Sequence, residues 1–277
     1  MTIFLIILFT LVGLAIGSFL NVCIDRLPAR KSLVSPSSKC DTCQKTLSLV
    51  DNIPLVSYIW LRGRCRYCGA RIPLRVLLVE VITGLLFFLI SWRFILSPDS
   101  PEYAAFILTA FWSCIFLIII FIDLEHQLIL NKVTYSAAVV ALVLLAVDSI
   151  FPDAGILASI KAYWPQAGIF NIGILNCIIA GAIGFVFFLL VFLINPRGLG
   201  MGDIKLVTLI GLATGFPLNL LALFIGILIG GIAAVFLLIS RKKGRKDVMP
   251  YGVFLGIGPI IALLWGNVII EWYLGIF

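Results

Sequence analysis

Two C-x-x-C pairs are the first residues whose types and spacing could do chemistry. Cys40 and Cys43 form one pair, Cys65 and Cys68 form the other, and residues 44–64 separate them. Four thiolates in this pattern are typical of a structural zinc site, where each pair makes a short knuckle around the ion. The pattern therefore predicts Zn²⁺ at these four cysteines. Two disulfides or a thioredoxin-like redox site are the alternatives.

Two aspartates at the ends of apolar runs are the second candidate site. Asp123 ends the run 115–122, and Asp203 lies in the G-x-G-D pattern that begins at Gly200. Two carboxylates at one membrane depth could share a proton, so that one remains ionised and activates water. We predict that Asp123 and Asp203 are catalytic, with Gly200 and Gly202 permitting close backbone approach. Alternatively, each aspartate caps a helix or faces lipid headgroups.

Three other charged residues near these runs are weaker candidates. Lys205 could tune the aspartate pair, or could simply follow the charge distribution of the loops. Glu125 follows Asp123 by two positions and so falls on a different helical face, which indicates a supporting role rather than a catalytic one. Glu80 lies about one turn inside an apolar run and could pair with Arg75.

Long apolar runs are the elements that must position these residues. The 277-residue chain is 62% hydrophobic and 12% charged, and a run of about 20 apolar residues spans a bilayer. We therefore predict an all-α polytopic membrane protein with about eight transmembrane helices and a small cytoplasmic zinc-binding domain between the first two. The predicted spans are residues 2–21, 76–95, 104–122, 133–150, 170–194, 205–217, 219–240 and 251–273.

Basic residues orient this topology. With eight alternating spans, 18 of the 20 Lys and Arg fall on one side of the membrane, which the positive-inside rule makes the cytoplasm. Both termini are then outside. The basic cluster 241–246 is attributed to topology and anionic membrane lipids, so no nucleic-acid partner is expected. The predicted domains are a first transmembrane helix (1–21), the cytoplasmic four-cysteine zinc domain (22–75) and a seven-helix aspartic protease region (76–277).

Five segments in chain order resemble the type IV prepilin peptidases of the bacterial inner membrane. They are GSFLNVCIDRLP at 17–28, SYIWLRGRCRYC at 57–68, IDLEHQ at 122–127, GMGDIKL at 200–206 and PYGVFL at 250–255. In this comparison Asp123 and Asp203 match the family's two catalytic aspartates. The sequence departs from the family at Leu77 and Leu130, where proline is frequent, so the loop that ends at Leu130 could have a different shape.

The resemblance implies a bifunctional enzyme. One activity cuts a short basic leader from prepilins and pseudopilins at the cytoplasmic membrane face. The other methylates the new amino terminus, with S-adenosylmethionine as the methyl donor. The four cysteines resemble the domain of members that have both activities.

Two other function classes fit parts of the sequence. A transporter or channel could use Asp123 and Asp203 along an ion path, although such paths place polar groups near the membrane midplane. A membrane thiol oxidoreductase could use the C-x-x-C pairs, although reactive thiols of that kind usually face the oxidising side.

Overall fold

The computed structural model describes residues 2–35, 37–48, 50–96, 102–151, 173–194, 196, 199–240 and 249–275. The chain divides into two compact units, Met1–Phe106 and Ile107–Phe277. Within the described residues the only β pairing consists of two isolated bridges, Lys39 with Thr46 and Arg64 with Arg71.

Helices are the main regular structure of the described residues in both units. A single turn of 3-10 helix, Val50–Asn52, precedes the short helix α2. The α-helices are α1 (Thr2–Arg26), α2 (Val56–Trp60), α3 (Leu74–Phe94), α4 (Tyr103–His126), α5 (Asn131–Ile150), α6 (Gly173–Ile194), α7 (Met201–Thr214), α8 (Leu218–Ile239) and α9 (Tyr251–Leu274).

Seven of the described helices are long and apolar enough to cross a membrane, namely α1, α3, α4, α5, α6, α8 and α9. The predicted polytopic helical fold is therefore confirmed. The sixth predicted span, 205–217, corresponds to α7, which has 14 residues and begins and ends earlier than predicted. It ends at Thr214 because Gly215 follows in the left-handed region, at φ 68°, and Pro217 precedes α8.

Glycines allow the first unit's long helices to pack closely. Gly13 and Gly17 of α1 form a G-x-x-x-G pattern, a common way to bring membrane helices together. A Cβ at Gly17 would lie 2.8 Å from the Glu80 Cα of α3, and one at Gly84 would lie 2.6 Å from the Leu14 side chain. The α1–α3 pair is therefore held at backbone contact distance.

Glycines also allow close helix packing in the second unit. A Cβ at Gly211 of α7 would collide with the backbone nitrogen of Gly181 in α6, and one at Gly258 of α9 would collide with the carbonyl oxygen of Ala222 in α8. Gly256 lets α9 approach α4 in a similar way. Because larger side chains would separate these pairs, the glycines determine where the ends of α7 and α9 lie.

Several sequence predictions fall outside the described residues. They concern the basic cluster 241–246 and the first residues of the predicted span 170–194.

The glycine contacts predict a sharp difference between two substitutions. Gly258→Ala should lower stability by about 1–3 kcal/mol, the usual effect of overpacking, because its Cβ meets the Ala222 carbonyl. Gly231→Ala should preserve stability or raise it by up to about 1 kcal/mol, because a Cβ there meets nothing within 4 Å and alanine is the better helix former. Thermal unfolding of both variants in one detergent measures this. Equal midpoints would contradict the packing described here.

Candidate active site and metal centre

Asp123 lies in the last turn of α4 and is almost completely buried, with 5% of its surface exposed. The backbone N–H of Val253, in the first turn of α9, donates a hydrogen bond to Asp123 Oδ2 at 3.1 Å. A Cβ at Gly252 would lie 2.9 Å from the same oxygen. Glycine at this position therefore lets the amino end of α9 contact the carboxylate, where the helix dipole stabilises negative charge.

Asp203 lies in the first turn of α7 and is 9% exposed. The Gly200 N–H donates to Asp203 Oδ2 at 3.0 Å, and the Asp203 N–H donates to the Gly200 carbonyl oxygen, also at 3.0 Å. This reciprocal pair is a capping arrangement. The alternative reading of Asp203 as a helix cap thus describes part of what it does.

The two aspartates approach each other within the second unit. Their carboxylates are close enough for their charges to interact. The Tyr251 hydroxyl is also close enough to Asp203 for an electrostatic interaction between the two groups. Ile129 packs between their neighbouring glycines, since a Cβ at either Gly202 or Gly252 would lie 3.0 Å from an Ile129 side-chain carbon. The structure therefore brings together the two acids that the sequence singled out.

Lys205 and Glu125 were predicted to support the aspartate pair, and the structure places them at different positions from it. Lys205 Nζ donates to Asn131 Oδ1 at 2.8 Å and lies 5.4 Å from the centre of the Tyr135 ring. These contacts connect α7 to the start of α5. Glu125 is exposed while Asp123 is buried, because α4 continues as a helix and places them on different faces.

The beginning of α9 contributes three residues that sequence reasoning did not identify as site residues. Tyr251, Gly252 and Val253 all lie in the segment PYGVFL at 250–255, which was noted only as part of the family resemblance. Leu130 also differs from expectation. Its φ of −73° and ψ of 120° are values that proline adopts, so leucine at this position preserves the loop conformation.

The four cysteines converge in the first unit. Their sulfur atoms all lie within 4.8 Å of one another, and Cys40 Sγ is 3.8 Å from Cys68 Sγ. A disulfide would need about 2.05 Å, and all four are free thiols. Tetrahedral zinc with bonds of about 2.3 Å places its sulfur ligands about 3.8 Å apart. The cluster could therefore hold a metal ion of this size.

The first knuckle is built around Cys40. Its N–H donates to the Lys45 carbonyl oxygen at 3.0 Å, and the Gln44 N–H donates to the Cys40 carbonyl oxygen at 2.8 Å. Backbone N–H groups of Cys43 and Thr42 lower the pKa of the Cys40 thiol to about 6. The thiolate, which is the form that binds metal, is then available at neutral pH.

The second knuckle repeats these two hydrogen bonds. The Cys65 N–H donates to the Ala70 carbonyl oxygen at 2.8 Å, and the Gly69 N–H donates to the Cys65 carbonyl oxygen at 2.9 Å. Gly69 has φ 71°, and Gln44, at the equivalent position of the first knuckle, has φ 57°. Glycine tolerates this left-handed conformation better than glutamine does.

Two side-chain contacts join the knuckles to each other and to the segment between them. Lys45 Nζ lies 5.3 Å from the centre of the Tyr67 ring. Arg66 Nε forms a salt bridge with Asp51 Oδ1 at 2.8 Å. These contacts hold the two C-x-x-C pairs in register.

Paired buried carboxylates at the ends of apolar helices define a candidate membrane aspartic peptidase. Residues 11–94 of the chain match the bacterial peptidase A24 N-terminal domain, and residues 110–235 match the type IV leader peptidase family. The first range contains all four cysteines, and the second contains both aspartates. The chain belongs to the type IV leader peptidase family, and the predicted resemblance is confirmed.

Curated relatives agree along nearly the whole chain. A protein of Aeromonas salmonicida (strain A449) named prepilin leader peptidase/N-methyltransferase is 32% identical, over 95% of this chain and 92% of the relative. Relatives with the same name are 30% identical in Pseudomonas aeruginosa, over 95% and 91%, and 28% identical in Bacillus subtilis (strain 168), over 95% and 95%. No solved structure gives a significant match.

The unequal knuckles predict opposite effects of two exchanges. Gln44→Gly should slow metal loss to a chelator, because it relieves left-handed strain of about 1–2 kcal/mol. Gly69→Ala should accelerate metal loss, because it introduces that strain where a Cβ has open space and gains no contact. Release rates measured with a colorimetric chelator test both. The same rate for the two variants would contradict the knuckle geometry.

Proposed function

We propose that this chain removes the basic leader peptide from type IV prepilins and pseudopilins and then methylates the new amino terminus, with Asp123 and Asp203 carrying out the cleavage. Membership of the leader peptidase family supports both activities. The observation that carries the site assignment is the approach of two buried carboxylates from α4 and α7. The transporter or channel alternative is not favoured, because the family is enzymatic.

In the proposed cleavage, one aspartate is ionised and the other is protonated. The ionised carboxylate takes a proton from water as the water oxygen attacks the scissile carbonyl carbon, while the protonated carboxyl donates to the carbonyl oxygen. The proton taken from water then passes to the leaving nitrogen as the C–N bond breaks, and the proton on the former carbonyl oxygen returns to the carboxylate that donated it as the C=O bond re-forms. Hydrogen bonds from Val253 and Gly200 hold one oxygen of each carboxylate, which supports a fixed orientation for the second oxygen.

The position of the pair at helix ends suits its proposed substrate. The amides of a membrane-spanning helix are engaged in hydrogen bonds, so a peptidase needs its substrate extended. Asp123 is three residues from the end of α4, and Asp203 is the third residue of α7. Gly200 brings its backbone against the Asp203 carboxylate, and Gly202 is packed against Ile129. A leader at this edge would lie near the lipid headgroups, where basic residues are attracted to anionic lipids.

For the methyl transfer we propose S-adenosylmethionine as the donor of the methyl group to the new terminal amine. This proposal rests on the family and on the name of its relatives. We assign Asp123 and Asp203 to the cleavage alone.

We propose that the ion held by Cys40, Cys43, Cys65 and Cys68 is structural Zn²⁺. The 3.8 Å separation of Cys40 Sγ and Cys68 Sγ and the convergence of all four sulfur atoms support this choice. With four thiolates the coordination of zinc is complete, which is typical of structural rather than catalytic sites. The ion would close the loop between the knuckles and stabilise a segment too small for a sizeable apolar core.

The seven apolar helices and the peptidase relatives support an integral inner-membrane protein. We further propose that α7, although it has only 14 residues, makes an eighth crossing. The cysteine segment 22–75 and the aspartate ends of α4 and α7 then face the cytoplasm, and both termini lie outside. The distribution of Lys and Arg supports this orientation. Partners are then prepilins and membrane lipids, and no nucleic acid is proposed.

The aspartate assignment predicts the effect of conservative substitutions. Asp123→Asn and Asp203→Asn preserve size but remove the ionisable group, so either should lower prepilin cleavage by at least about 10²–10⁴-fold, as loss of general acid–base catalysis does. Glu125→Gln is the matched control and should cleave at close to the unaltered rate, because Glu125 is exposed on another face. Intact mass of a purified prepilin reports the loss of its leader. Rapid cleavage by Asp203→Asn would refute the assignment.

The zinc assignment predicts a loss of metal. Cys40→Ser and Cys65→Ser should each reduce bound zinc, because each removes one of four thiolates. Cys114→Ser makes the same chemical change at a cysteine of α4 that is not one of the four cluster residues, and should retain the full zinc content. Metal analysis of the purified proteins measures the stoichiometry. Unchanged zinc in both cluster variants would contradict the proposed site.

A further inference from the structure

The segment 53–61, which contains α2, is uncharged and apolar although it belongs to the cysteine domain. Its sequence is IPLVSYIWL, and charged residues occur on both sides of it. Its large apolar side chains are unusually exposed: Val56 is 56%, Ile59 63% and Trp60 82% exposed. An apolar surface of this kind marks an interaction site rather than ordinary protein surface.

A buried carboxylate ties this segment to a membrane-spanning helix. The Leu55 N–H donates to Glu80 Oε2 at 2.8 Å, and the Ser18 hydroxyl also hydrogen-bonds Glu80. Leu55 has φ 63°, a conformation that is unfavourable for leucine and has to be held by its surroundings. The sequence had suggested Arg75 as a partner of Glu80, and the structure shows a salt bridge from Arg75 to Asp25 at 2.6 Å.

These contacts place the segment beside the first turns of α3. The salt bridge between Arg75 and Asp25 connects the start of α3 to the end of α1. Glu80 is five residues further along α3, which is about 7.5 Å along the helix axis at 1.5 Å per residue. Because the Leu55 N–H is bonded to Glu80, α2 begins beside the first two turns of a helix that is long and apolar enough to cross a membrane.

The charges that follow the segment fit an anionic lipid surface. Arg62 and Arg64 come directly after it and are both exposed. Tryptophan concentrates at the boundary between headgroups and acyl chains, and arginines beside an apolar surface are typical of segments that lie in this boundary. A five-residue helix cannot cross a bilayer.

We propose that residues 53–61 form a membrane-inserted segment, with Val56, Ile59 and Trp60 among the upper acyl chains of the bilayer and Arg62 and Arg64 at anionic headgroups. Glu80 sets the depth of the segment through the Leu55 N–H. This docking surface contains none of the residues of the aspartate pair or the cysteine cluster. The segment anchors the cysteine domain to the lipid bilayer whether or not a substrate is bound.

The test uses the full-length protein in nanodiscs that contain phosphatidylglycerol and brominated phosphatidylcholine. The difference in fluorescence between the unaltered protein and Trp60→Phe gives the emission of Trp60 without that of the other tryptophans. We expect brominated acyl chains to quench most of this emission and aqueous iodide to quench little of it. Trp92→Phe is the matched control, because Trp92 is exposed on the spanning helix α3 and its emission should respond to brominated lipid alone.

Two results would overturn the proposal. Quenching of Trp60 by iodide and not by brominated lipid would place the segment in water. Protection from both quenchers would show that protein, such as a second copy of the chain, covers it.

Glu80 variants test the depth anchor separately. Glu80→Gln retains an oxygen that can accept from the Leu55 N–H, so Trp60 should remain lipid-quenched. Glu80→Leu removes the acceptor, and Trp60 should become accessible to iodide while the Trp92 emission stays unchanged. Lipid quenching of Trp60 that is the same in both variants would contradict the anchoring role of Glu80.

Discussion

The electrostatic cost of burying two carboxylates beside each other is the constraint on which the second unit depends. Burial removes Asp123 and Asp203 from water, and their proximity adds repulsion when both are ionised. The compensating groups are backbone N–H donors at the amino ends of α7 and α9, which contact the two side chains. A helix end has unpaired N–H groups and a favourable dipole, so it can stabilise an acid without introducing a lysine or arginine.

Small residues make this compensation possible. Gly252 allows the amino end of α9 to reach Asp123, and Gly258 allows α9 to lie against α8 at backbone contact distance. In the first unit the same close approach joins α1 to α3 and brings Glu80 into contact with Ser18 and the Leu55 backbone. Both buried-acid sites therefore depend on glycine packing between helices. The cysteine knuckles do not depend on packing between helices, because local turns direct their thiolates towards one point.

How much the sequence could predict differs between these features. The cysteine cluster and the helices were predictable, because C-x-x-C spacing and the length of apolar runs are local signals. The two aspartates were predicted as a pair, from their local contexts and from the shared membrane depth that the charge distribution implied. The hydrogen bond from Val253 to Asp123 joins residues 130 positions apart, and no local pattern encodes such a contact. The left-handed backbone conformation of Leu55 and its hydrogen bond to Glu80 could not be predicted either, because leucine gives no sequence signal for that conformation.

The central claim is that the two aspartates work as one unit, and a double substitution tests it most directly. The kcat/KM for prepilin cleavage would be measured for Asp123→Asn, Asp203→Asn and the protein carrying both changes. If the pair acts as a unit, the double variant should be no slower than the slower single variant, because either change already removes the shared chemistry. Losses that multiply in the double variant would show that the aspartates act independently, and would contradict this account.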